Sequence, residues 1–175
     1  MIHSEPETAA PFIIEKFTMA FDLVEDRIRM NAFNANAGVQ AIWLTRRLLD
    51  RFLPIIVTKI EEKAGSSVVA RFGLSVSQQK LRDQRETSRA EPVLAPADGV
   101  PWLASTMKLV PHGEGFVWVL QGATGCEARF FLTDEHLRST LDILHISYSK
   151  MEWHCEKFPD WVADVGSDKP ARALH

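Results

Sequence analysis

Two cysteines in 175 residues, Cys126 and Cys155, are too few for the disulfide framework that staples small secreted domains. A chain of this length buries roughly 70% of the surface its unfolded form exposes, so its core needs neither that staple nor a structural metal. No apolar run approaches the ~20 residues of a membrane helix. The opening residues, Met1-Ile2-His3-Ser4-Glu5-Pro6-Glu7, are polar and acidic, the reverse of a signal peptide. These absences predict one soluble, cytoplasmic domain spanning residues 1–175, with no membrane contact.

Charge of one sign is also lacking. Against 20 basic residues stand 23 acidic ones, for a net charge of −3. No region departs far from neutrality: residues 1–63 hold 8 basic and 9 acidic groups, and residues 64–98 hold 5 and 4. The densest basic stretch, Lys80, Arg82, Arg85 and Arg89, is interrupted by Asp83 and Glu86. A solvated helix face accounts for it better than a track of phosphate contacts. The near-neutral charge argues against a nucleic-acid binder using Arg46, Arg47, Arg51 and those arginines, which would show steep salt dependence.

Motifs that carry chemistry are absent too. There is no Cys-x-x-Cys, His-Glu-x-x-His or calcium-loop pattern, no phosphate-binding glycine loop and no Gly-x-Ser-x-Gly elbow. His136, His145 and His154 recur every nine residues, which is two and a half helical turns, so on one helix neighbours point to opposite faces. The adjacent His154 and Cys155 would diverge by about 100° on that helix. The phase of Cys155 predicts a small buried hydrophobe. His112-Gly113-Glu114-Gly115 reads as a hairpin turn. No catalytic residue, metal or cofactor is assigned.

What the chain does contain is an internal echo. At an offset of 88, residues 17–63 align without a gap on 105–151 with 8 identities in 47 positions, where chance gives about three. Thr18-Met19 falls on Thr106-Met107, Ala35 on Ala123 and Leu44-Thr45 on Leu132-Thr133. Each half reads strand, strand, strand, helix. Phe17–Leu23 and Ser105–Val110 are the first strands. The second alternates at period two, with Ile28, Met30 and Ala32 in the phase of Phe116, Trp118 and Leu120. Turns at Asn34-Ala35-Asn36-Ala37-Gly38 and Gly122-Ala123-Thr124-Gly125 lead to Val39–Leu44 and Glu127–Leu132. Thr45 and Thr133 then suit helix N-caps. Leu49, Leu53, Ile56 and Ile60 form one helical seam, and Leu137, Leu141, Leu144, Tyr148, Met151 and Cys155 a longer one. Pro54 should kink or divide the first helix.

The predicted fold is α+β: a tandem βββα repeat of antiparallel meanders with two long helices in one pseudo-two-fold domain. The first repeat spans 12–63, a connector 64–99, the second repeat 100–157 and a tail 158–175. In the connector Val68, Val69, Phe72 and Leu74 are expected to form one short buried segment, and a helix over the polar residues 75–89 would be exposed or marginal. The first ten residues and 166–175 lack apolar periodicity and are expected to have no fixed structure.

One feature points to function. In the second half the off-phase positions Val117 and Val119 are apolar where the first half has Arg29 and Asn31, and Trp43 and Phe131 stand off-phase before each helix. Apolar residues on both faces mean that something covers both. The connector, the other repeat and another chain are the candidate covers, so the choice is between internal packing and a surface at Trp43, Val117, Val119 and Phe131 for another protein or for a second copy in a homodimer. The leading reading is a non-enzymatic interaction module, such as an adaptor, assembly factor or accessory subunit. The alternative is a small-molecule binder or enzyme with a pocket between the repeats at His112, Trp118 and His145.

Overall fold

The computed structural model describes residues 10–88, 90–96 and 98–163. The ends for which no fixed structure is expected lie almost wholly outside these residues. The elements run β1 (Phe12–Ile14), β2 (Lys16–Asp22), β3 (Arg27–Asn34), β4 (Gly38–Thr45), α1 (Arg46–Ala64), α2 (Val68–Ser88), β5 (Trp102–His112), β6 (Gly115–Gly122), β7 (Glu127–Leu132), α3 (Asp134–Lys150) and α4 (Asp160–Ala163). The protein is α+β, with a seven-stranded mixed sheet in the order β1-β7-β6-β5-β4-β3-β2.

The strands β2-β3-β4 and β5-β6-β7 are antiparallel meanders. They meet at two short parallel seams, Ile42-Trp43 beside Trp102-Leu103 and Phe12–Ile14 beside Ala128–Phe130. The sheet is therefore mixed rather than purely antiparallel. β1 and β2 stand at opposite ends of the order yet are one stretch of chain interrupted only at Glu15, whose N–H donates to Phe33 O at 2.9 Å. The sheet thus closes into a ring. The helices pack against the sheet near the seams, α1 on β5 and β4 and α3 on β2 and β7.

Period-two patterning decides which side chains enter the ring. Ile28, Met30, Ala32, Ile42, Leu44, Trp118, Leu120, Ala128 and Leu132 are buried on its inner face. Phe52 of α1 stacks on Trp118 with ring centroids 5.3 Å apart, and Phe17 meets Trp118 and Phe130 edge-on at 6.1 and 5.3 Å. Such aromatic contacts add about 0.5–1.5 kcal/mol each beyond their buried area. Leu49, Leu53, Ile56 and Ile60 of α1 are buried, as are Leu137, Leu141, Leu144 and Tyr148 of α3.

Both helices start at a capping threonine. Thr45 Oγ1 accepts from Leu48 N at 3.3 Å and Thr133 Oγ1 from His136 N at 3.2 Å. Pro54 does not divide α1, which continues to Ala64. The seam of α3 is shorter than its apolar spacing predicts. The helix ends at Lys150, Glu152 takes a positive φ of 55°, and Trp153 N caps Tyr148 O at 2.9 Å. His154 and Cys155 therefore lie beyond the helix, where helical angles between them do not apply.

The connector departs furthest from expectation. Residues 68–88 form a continuous helix, and of the four residues expected in a buried segment only Leu74 is buried. Polar contacts set the rotation of α2. Asp142 of α3 is 1% exposed and accepts from Arg82 and Arg85. Gln78, also buried, donates to Arg138 O at 3.1 Å, and Arg138 in turn donates to Ser77 Oγ.

Several strand registers recur at the same offset of 88. Asn31 faces Ala41 as Val119 faces Arg129, a shift of 88 on both strands. Ile42 faces Trp102 at one seam and Phe130 faces Ile14 at the other, again 88 apart. The gap-free alignment fails between β2 and β5. Thr18 faces Asn31 while Lys108, not Thr106, faces Val119. An irregularity between Ala104 and Thr106 takes up part of this slip, and the tighter turn at Gly113-Glu114 returns it.

Candidate interaction surface

The outer faces of the two meanders occupy equivalent places but differ in chemistry. On the first, Thr18, Asn31 and Ala41 form one cross-strand row, and Ala20, Arg29 and Trp43 the next. The chain itself covers the first row. Thr18 Oγ1 accepts from Val93 N at 2.8 Å, and Asn31 Nδ2 donates to Val93 O at 2.9 Å. Two short polar side chains thereby hold an extended backbone, and Val93 and Asn31 are both buried. Trp43 is half-buried, with the Arg29 guanidinium 5.9 Å from its ring.

On the second meander the same places hold Lys108, Val119 and Arg129, then Val110, Val117 and Phe131. No described segment is hydrogen-bonded across it as Val93 is across the first. Val110 and Phe131 are 45% and 47% exposed and flank the more buried Val117. His112 leans on Phe131, ring centroids 5.3 Å apart. At the rim Glu127 accepts from Gln121 at 2.7 Å and from Arg129 at 2.6 Å, and these bonds hold its carboxyl below the usual range. The Arg129 charge is thereby matched within the rim, leaving an apolar stripe behind it.

The four residues expected to form one surface are thus divided. Val117, Val119 and Phe131 adjoin across β6 and β7, whereas Trp43 sits beside Leu103. Leu103 lies seven residues before Val110 along β5, roughly 20 Å at the rise of an extended strand.

The residues expected to line one pocket are separated too. Trp118 is fully buried in the core. His112 borders a cavity of ≈ 590 Å³ at the start of α3, with Phe116, Phe131, His136 and Lys63. His145 borders another of ≈ 540 Å³ at the far end of that helix, with Glu152, His154 and Cys155. Burial, and then the nearby Arg82 charge, lower the His145 pKa, while Asp142 opposes the shift. Tyr148, beside it, donates to Asp50 at 2.8 Å, and burial together with that bond raises its pKa. Among the described residues no group of three or more His, Cys, Asp or Glu is placed to hold a metal ion, and no helix is long and apolar enough to cross a membrane.

One apolar surface escaped the sequence reading. Val68, Val69, Phe72 and Val76 on α2 are 85%, 80%, 70% and 55% exposed. The spacing 68, 72, 76 is the signal that one helical face holds them, but periodicity alone does not say whether that face turns inward. A scan against protein-family models finds no match to this chain, and searches of curated proteins and of solved structures find none either.

Proposed function

We propose that this protein is a non-enzymatic interaction module, and that the outer face of β5–β6–β7 receives a partner protein. The observation that carries the reading is the contrast between equivalent faces. One is covered by the chain's own Val93 segment, and the other presents Val110 and Phe131 to solvent on either side of the buried Val117. β6 is paired on both sides, so its backbone has no free hydrogen-bonding edge. Recognition there rests on side chains, and the matching surface is apolar with a polar rim. We further read the two βββα units as a duplication with approximate two-fold symmetry. The shared registers support it, and loss of a cover from one copy of a duplicated face is an economical origin for a binding surface. Self-association as a homodimer belongs to the same reading.

The test is native mass spectrometry of the protein purified gently from its source, beside a variant carrying Val110→Ser and Phe131→Ser. Both side chains are about half exposed, so the variant should fold. A stoichiometric complex with another protein that the double variant loses is the expected result. A complex that survives the substitutions refutes the surface. Added mass from a small molecule would favour the alternative, a ligand or substrate site in the cavity at His112 or at His145.

A further inference from the structure

Four exposed apolar side chains share the outer stripe of α2, an unusual arrangement for a docked helix. An amphipathic helix ordinarily buries its apolar face and solvates its polar one. Here the buried residues are Leu74 and Gln78, with Ser77, Arg82 and Arg85 bonded to α3, while Val68, Val69, Phe72 and Val76 face away. The buried Asp142 carboxylate sets this rotation. Turning the stripe inward would strand that charge without its arginines.

Resting on the interaction-module reading, we infer that this stripe is where a second copy of the chain docks, α2 against α2 in antiparallel two-fold contact. Three observations select a second copy. First, the central row of the stripe reads the same in both directions about Phe72, with Val68 four residues before and Val76 four after, while Val69 at its edge lies opposite the partner's Ser75. An isologous two-fold contact demands that self-complementarity: Phe72 meets the partner's Phe72, and Val68 meets the partner's Val76. Second, Gly73 stands beside Phe72 on the exposed side, and a Cβ there would meet nothing within 4 Å. Glycine in a helix interior costs about 1 kcal/mol relative to alanine, and no contact among the described residues requires it. Against a partner helix it leaves room for the opposing phenyl ring. Third, the area suffices. Scaled by their exposure, the four side chains offer about 400 Å² of apolar surface per chain. At the ~65% apolar content of homodimer interfaces this implies about 1,200 Å² in total, the lower edge of the stable range. The stripe itself contains no charge, so antiparallel contact opposes no like charges within it.

Sedimentation equilibrium on the full chain, from 1 to 200 µM, tests this beside Phe72→Glu and, as a control on the sheet, Phe131→Glu. The expected result is a reversible dimer of twice the 19.7 kDa chain, with a dissociation constant in the micromolar range. Phe72→Glu should raise that constant at least 100-fold, because the two-fold places both glutamates together, with an unchanged far-ultraviolet spectrum. Phe131→Glu should leave it unaltered. As a geometric check, Phe72→Cys should form a disulfide-linked dimer on mild oxidation and Ser88→Cys should not, since only position 72 lies on the axis. A wild-type monomer at 200 µM overturns the inference and leaves the partner-protein reading of the sheet standing. A dimer abolished by Phe131→Glu but not by Phe72→Glu overturns it in favour of the sheet face. Binding of a different protein that Phe72→Glu abolishes, with no dimer at any concentration, also overturns it and names that protein as the occupant.

Discussion

Replacing Asp142 with alanine should release α2 from the body of the protein. Asp142 is 1% exposed and binds two guanidiniums, those of Arg82 and Arg85, while α2 buries only Leu74 and Gln78 besides. Removing one partner from a buried ion pair ordinarily costs about 3–5 kcal/mol, because the remaining charge stays buried. Here the arginine side chains keep 13% and 30% of their exposure, so part of that cost is relieved by water and about 2–4 kcal/mol is expected. For a chain of this size that lowers Tm by roughly 5–15 °C. The loss should be local first, so hydrogen exchange across residues 68–88 should accelerate before the sheet amides change. Asp142→Asn should behave nearly as badly, since it loses the charge and its amide NH2 would face one of the two guanidiniums. Replacing Asp142, Arg82 and Arg85 together with leucine and methionine should recover much of the stability, because no charge is then stranded. A Tm within ~2 °C of wild type for Asp142→Ala, with α2 amides as protected as before, would refute the assignment of α2 docking to this carboxylate.

Two further outcomes follow from local geometry. A Cβ on Gly115 would lie 2.2 Å from the carbonyl oxygen of Leu132, backbone that cannot yield without disturbing the β6–β7 pairing; Gly115→Ala should therefore cost about 2–3 kcal/mol in chemical denaturation, and a change below ~0.5 kcal/mol would show that this approach is not close in solution. His145 is held below its ordinary value of 6.5 by burial and by Arg82, so between the two values the unfolded chain binds more protons than the folded one. Stability should accordingly fall as pH drops below about 6.5, and His145→Gln should flatten that part of the profile in denaturant titrations at a series of pH values; an unchanged profile would assign the dependence to another group.

Much of the α+β organisation was legible because it is written in local chemistry. Period-two alternation at Ile28, Met30 and Ala32 and at Phe116, Trp118 and Leu120 marks inner strand faces, and Thr45 and Thr133 mark helix starts, since each needs only its near neighbours in sequence. The three-residue β1 was not legible, because its pairing with β7 spans more than 100 residues and leaves no periodic trace. Nor was the end of α3 at Lys150, where apolar spacing continues to Cys155 but the chain turns at Glu152 so that the Trp153 indole reaches Asp26 at 2.7 Å.

The candidate surface divides in the same way. That Val117, Val119 and Phe131 break the polar phase of their strands is readable from the residue order, because side-chain alternation is a property of the extended backbone. That Trp43 stands apart from them, that Val93 covers one outer face and not the other, and that α2 turns its apolar stripe to solvent emerges from long-range packing alone. Each of these depends on a contact distant in sequence: the β4–β5 seam, the Asn31 amide on Val93 and the Asp142 carboxylate between two arginines. A hydrophobic period says which residues share a face, and a buried charge some sixty residues away decides which way that face looks.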